Sequence, residues 1–101
     1  MGEFVKVATL SDLPPGKAKA VEAGGAAIAL YNVDGTVCAT VNTCPHRGGP
    51  LGEGDLDAGV ITCPWHGFQY DVQTGRCLTN AALSVGCHRV RVSGTDILVE
   101  V

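Results

Sequence analysis

Two stretches decide the reading: Cys44-Pro45-His46-Arg47-Gly48-Gly49-Pro50-Leu51 and Cys63-Pro64-Trp65-His66-Gly67-Phe68-Gln69-Tyr70-Asp71. Each sets one thiol and one imidazole a step or two apart on a glycine- and proline-rich loop, and sixteen residues lie between His46 and Cys63. Repeated cysteine and histidine pairs at such spacing form a metal-ligand layout.

The mixed pairing narrows the choice of metal. A zinc finger usually draws two cysteines from one knuckle and two histidines from another, whereas each knuckle here offers one of each. A mononuclear ion has no need of that crossing. A two-iron cluster does: with both cysteines on one iron and both histidines on the other, each loop clamps both metals. Replacing two thiolates by two neutral imidazoles also removes two negative charges from the site. A less negative site accepts an electron more readily, so its potential rises above that of a four-cysteine cluster. A zinc-stabilised structural or interaction module using the same four side chains is the second reading.

The two boxes resemble the cluster-binding motifs of the Rieske family, most closely over residues 44 to 71. By that resemblance Cys44 and Cys63 ligate one iron of a single [2Fe-2S] cluster, and His46 and His66 ligate the other through their δ nitrogens. The implied fold is all-β, a Rieske-like antiparallel sandwich or barrel with a small inserted cluster-binding subdomain. Residues 1–101 would form one domain, with the insert at about 43–80. Family members of respiratory and photosynthetic complexes carry an extra cysteine in each box, joined as a disulfide. The matching positions here are Gly49 and Trp65, so the resemblance is to the soluble, low-potential ferredoxins associated with oxygenases.

Several neighbours of the ligands carry roles in this reading. Gly48, Gly49 and Gly67 let backbone N–H groups approach sulfur and adopt backbone angles other residues avoid, while Pro45 and Pro64 stiffen the loops. Trp65, Phe68, Pro50 and Leu51 would give the tip an apolar surround that limits water. Tyr70 stands where family members often carry a tyrosine that donates to a ligand sulfur; the alternative is a core aromatic on a strand. At Leu78-Thr79-Asn80-Ala81-Ala82 many relatives cover the cluster with a proline-bearing loop, and no proline is present here.

The rest of the chain supplies a scaffold. Its 101 residues make one domain with no room for a second, catalytic one. Charged residues make up only 17% and there are fourteen glycines, which points to a compact, turn-rich β protein with a core of Val, Ala, Ile and Leu. The net charge is −3 with scattered basic residues, so no footprint for nucleic acid is present. The N-terminus lacks a secretion signal and the longest apolar run, Ala26 to Leu30, is far too short to span a membrane. The expected location is the cytoplasm, where Cys38, Cys77 and Cys87 read as buried or half-buried thiols rather than as a disulfide.

Periodicity predicts strands at Phe4 to Val7, Ala18 to Glu22, Ala27 to Val33, Thr36 to Val41, Val60 to Thr62, Phe68 to Val72, His88 to Val92 and Ile97 to Val101. Gly24-Gly25, Asp34-Gly35, Thr74-Gly75 and Ser93-Gly94 are the turns, and Ser11-Asp12 can cap a single helical turn. Glu53, Asp55 and Asp57 read as a solvated acidic loop joining the two boxes, because the spacing of a calcium loop is absent. Arg89 and Arg91 read as a solvated face, and His88 as an ordinary strand residue.

The function these features imply is one-electron transfer, without enzymatic activity of its own. By resemblance the donor is a flavin-containing, NAD(P)H-dependent ferredoxin reductase and the acceptor a terminal ring-hydroxylating oxygenase. The small Rieske subunit of an assimilatory nitrite reductase is the nearest alternative.

Overall fold

The computed structural model describes residues 3–44, 49–65 and 67–101. Ten strands follow in chain order: β1 (Phe4–Thr9), β2 (Ala18–Ala23), β3 (Ala26–Val33), β4 (Thr36–Val41), β5 (Asp55–Asp57), β6 (Val60–Thr62), β7 (Gln69–Asp71), β8 (Cys87–His88), β9 (Val90–Ser93) and β10 (Asp96–Glu100). They pair antiparallel in three sheets, ordered β1-β10-β9, β2-β3-β4-β8 and β5-β6-β7. The only helical elements among the described residues are two single 3-10 turns, Leu10–Asp12 and Leu51–Glu53.

Turn chemistry sets the registers. Asp34 and Gly35 both have positive φ, at 53° and 94°, and join Val33 to Thr36 in a two-residue hairpin of the kind Asp-Gly favours. The same device operates at Ala58-Gly59, which the acidic-loop reading did not foresee: Ala58 takes φ 51° and folds Asp55-Leu56-Asp57 back onto β6 as strand β5. The expected loop is therefore the edge of a small sheet, with Leu56 inward and the two aspartates outward. At the N-terminal end the capping residue is Thr9 rather than Ser11. Its backbone N–H and its hydroxyl both donate to the Asp12 carboxylate, at 3.3 and 3.0 Å.

Strand β3 divides the interior into two cores. Ile28 and Leu30 on one face join Leu13, Ala39, Ile97 and Val99 in the scaffold core. Ala29 and Tyr31 on the other face join Leu51, Ile61, Tyr70, Val72, Cys77 and the two box cysteines. Each fully buried aliphatic side chain contributes about 1.5–3 kcal/mol, so the shared strand ties the small sheet firmly to the scaffold. Tyr31 needs a polar partner there. Thr40 Oγ1 donates to the Val41 carbonyl at 2.9 Å, which leaves its lone pair to accept from the Tyr31 hydroxyl at 2.8 Å.

The strand predicted at His88 to Val92 is broken. Cys87–His88 pairs with β4, while Val90–Ser93 pairs with β10, and Arg89 is the corner between the two sheets. His88 closes that corner by donating from Nδ1 to the Glu100 carbonyl at 2.9 Å, and Glu100 N–H donates to the Arg89 carbonyl at 2.9 Å. Arg91 lies over the Phe4 ring, 4.3 Å from its centroid.

Candidate metal centre

Both box cysteines sit at the start of a loop closed in the same way. Cys44 N–H donates to the carbonyl of Gly49 at 2.9 Å, and Cys63 N–H donates to the carbonyl of Phe68 at 2.8 Å, in each case across five residues. The first loop is pinned at its base by Asn42, whose carbonyl accepts from Leu51 N–H at 2.8 Å and whose side-chain oxygen accepts from Gly52 N–H at 2.7 Å. That clamp presses the Leu51–Glu53 turn onto β2, where a Cβ on Gly52 would lie 2.8 Å from the Ala20 nitrogen. The second loop is tightened by Gly67, which takes φ 74° and donates to the Cys63 carbonyl at 3.0 Å.

The loops converge on two buried sulfurs. Cys44 is 1% and Cys63 2% exposed. Beside Cys44 Sγ, at 3.1 Å, lies the hydroxyl of Tyr70 on β7, itself fully buried. Burial first, and then the neighbouring Cys44 sulfur, push the Tyr70 phenol above the usual tyrosine range, so it stays protonated and can donate. Beside Cys63 stands Gly49: a Cβ there would lie 2.7 Å from Cys63 Sγ and 3.1 Å from Cγ of Trp65. The Trp65 ring thus leans on the first loop from the second while remaining 58% exposed.

Of the other residues singled out from the sequence, Phe68 is partly buried against the site-side core, and Leu51 belongs wholly to that core rather than to the surface of the tip. Leu51 points inward because the Asn42 clamp turns it so. Pro45, His46, Gly48 and His66 lie outside the described residues.

The remaining thiols stand apart. Cys38, Cys77 and Cys87 form no disulfide. Cys38 is half-buried and Cys77 buried as expected, but Cys87 is exposed, because the two-residue strand that carries it ends at the corner. Partial desolvation by the surrounding protein pushes the Cys38 thiol up and, despite its exposed edge, the Cys87 thiol as well, with Cys87 adding to the effect on Cys38 and Asp71 to that on both. Protonated thiols of this kind are poor ligands. The loop from Leu78 to Ala82 is organised without proline. Asn80 forms a turn, its side-chain oxygen accepting from Ala82 N–H at 2.9 Å and its carbonyl from Leu83 N–H at 3.0 Å. Thr79 Oγ1 accepts from Gln69 N–H at 3.0 Å and fastens the loop to β7.

This donor set fits a thiolate-bound cluster. Two buried sulfurs are presented by loops of the same closure, one with a phenol donor at hydrogen-bond range and the other against a position that leaves no space for a side chain. Asn42 escaped the reading from sequence, although an asparagine two residues before a ligand loop is a turn signal that could have been used, and the stretch holding Asn80 was singled out only for its lack of proline.

Comparison with known proteins agrees. The family model for the Rieske [2Fe-2S] domain matches residues 3–99. The ferredoxin component of naphthalene 1,2-dioxygenase/salicylate 5-hydroxylase systems from Ralstonia sp is 32% identical, over 96% of this chain and 94% of that protein. The ferredoxin of carbazole 1,9a-dioxygenase from Nocardioides aromaticivorans IC177 superposes with a TM-score of 0.89 at 35% identity, covering 95% of each chain. A structure of a complex of reduced oxygenase and oxidized ferredoxin in carbazole 1,9a-dioxygenase holds a chain with a TM-score of 0.87 and 36% identity, covering 95% of this chain and 91% of that one. A nitrite reductase small subunit from Mycobacterium tuberculosis, described as NADH-dependent, shares the fold, with a TM-score of 0.91 at 23% identity over 100% and 96% of the two chains.

Proposed function

The chain belongs to the Rieske [2Fe-2S] domain family, and from that premise we propose that it is the ferredoxin component of a multicomponent oxygenase system. It takes one electron at a time from a flavin-containing NAD(P)H reductase and passes it to a terminal ring-hydroxylating or related oxygenase. The observation that carries this reading is identity above 30% to dioxygenase ferredoxins over nearly the whole length of both chains. The likeness to the nitrite reductase subunit is one of fold alone. The zinc-module reading falls away, because the group this family holds is a [2Fe-2S] cluster.

We assign the iron ligands as Cys44 and Cys63 on one iron and His46 and His66 on the other, within a single domain whose residues 43–80 form the cluster-holding unit. The bound cluster supplies one reversible electron. The chain does the rest: Tyr70 donates to Cys44 and so favours the more negative reduced state. Gly49 leaves room for Cys63, and the core shared along β3 holds both cysteine loops in fixed register. A cytoplasmic setting suits an NAD(P)H-dependent donor, and among the described residues no helix is long and apolar enough to cross a membrane.

Reconstitution tests the proposal. With reductase, NAD(P)H and a matched terminal oxygenase, turnover should require this protein, and the protein alone should transform no organic substrate. Full oxygenase turnover in its absence would overturn the shuttle role.

A further inference from the structure

We infer that Cys77, which lies outside both boxes, is a positioning residue that sets the strength of the Tyr70 hydrogen bond to Cys44. The inference rests on the cluster ligation proposed above. Tyr70 and Cys77 face each other across an antiparallel bridge. Asp71 N–H donates to the Arg76 carbonyl at 2.9 Å and Leu78 N–H to the Gln69 carbonyl at 2.7 Å. These flanking bonds make Tyr70 and Cys77 the close, non-hydrogen-bonded kind of pair, in which side chains approach most nearly. Cys77 is 3% exposed, so its thiol must find partners inside the protein.

One partner is the backbone. Asn80 N–H donates to Cys77 Sγ at 3.3 Å, which uses the sulfur as an acceptor and leaves its proton to be placed elsewhere. Across the bridged pair lies Tyr70, whose phenol is held protonated first by burial, then by Cys44 and, in a smaller part, by Cys77. Against a thiolate the Tyr70 proton can only point toward Cys44, so the phenol oxygen is left to accept. The donors then run in one direction, from Asn80 N–H to Cys77, from Cys77 S–H to Tyr70, and from Tyr70 O–H to Cys44. Each bond in such a chain polarises the next and strengthens the last. The turn at Asn80 thereby reaches the cluster through two side chains.

A double-mutant cycle read by the reduction potential tests this, since a purely structural role would act without Tyr70. Cys77→Ala and Cys77→Ser are each made in the native chain and in Tyr70→Phe, and potentials are measured by voltammetry on samples of matched iron and sulfide content. Cys77→Ala should lower the potential and Cys77→Ser, a stronger donor, should raise it. Both shifts should vanish in the Tyr70→Phe background. Shifts of equal size in the two backgrounds, or no separation between Ala and Ser in the native chain, would overturn the inference. If Cys77→Ala fails to retain its cluster, the Ser variant in the two backgrounds decides alone. A native protein without a [2Fe-2S] cluster would overturn the ligation as well, whereas a cluster with uncoupled Cys77 would overturn only the relay.

Discussion

Gly49 stands so close to Cys63 that a Cβ built on its backbone would lie 2.7 Å from Cys63 Sγ, inside any real contact distance. The two residues come from different loops, and Trp65 closes the same gap from the other side. The glycine is therefore what lets the second loop bring its sulfur beneath the first.

Replacing Gly49 by alanine should force the loops apart. Overpacking of this kind costs about 1–3 kcal/mol, and because it falls on a ligand sulfur the cost should appear as lost cluster. Iron and acid-labile sulfide per chain should fall in Gly49→Ala relative to the native protein. Full occupancy with an unchanged visible spectrum would show that the loops have slack.

Tyr70→Phe removes the donor 3.1 Å from Cys44 Sγ while keeping the ring in the core. A donor stabilises the reduced, more negative site more than the oxidised one, so its loss should lower the potential. Hydrogen bonds to charged groups are worth roughly 1.5–3 kcal/mol. If about half of that differs between redox states, the shift is roughly 30–65 mV, its upper end a tenfold change for a one-electron couple. A potential that stays put or rises would remove Tyr70 from the account.

The Phe68 side chain carries no hydrogen-bond donor and Gly49 and Trp65 can form no disulfide, so the potential should lie nearer the lower limit of about −150 mV than the upper limit of about +300 mV. Phe68→Ser should raise it. Phe68 is also packed against the site-side core, so removing the ring admits water, and water too stabilises the reduced form. Phe68→Ala separates the two: a larger rise for Ser than for Ala assigns the difference to the hydroxyl, and equal rises assign it to solvent.

How far the sequence carried varies from residue to residue. The hairpin at Asp34-Gly35 and the strands Thr36 to Val41 and Val60 to Thr62 were legible, because turn chemistry and alternation are local. Strand β5 was not, since three residues carrying two aspartates resemble a loop and Ala58 lacks the composition of a left-handed turn residue. The corner at Arg89 was hidden because alternation continues through it while the hydrogen-bonding partner changes. At the site, the thiols were legible from spacing and Tyr70 from family resemblance. The Asn42 clamp and the Cys77 contact depend on segments that meet only in the folded chain.

Ala58 offers a test of that hidden turn. Its left-handed backbone, at φ 51°, costs an L-residue roughly 1–2 kcal/mol, and glycine gives back only about 0.5–1 kcal/mol in the unfolded chain. Ala58→Gly should raise the urea midpoint, with a gain of about 0.5–1 kcal/mol. A lower midpoint would mean that the methyl group's packing outweighs the strain.

The central claim is that Cys44, His46, Cys63 and His66 hold a two-iron, two-sulfide cluster. Iron and acid-labile sulfide assayed on anaerobically purified protein, native and with each of Cys44→Ser, Cys63→Ser, His46→Ala and His66→Ala, test it most directly. Two irons and two sulfides per native chain, lost or severely reduced in every variant, is the predicted result. Stoichiometric zinc without sulfide in the native protein, or full occupancy in any one of the four variants, would contradict it.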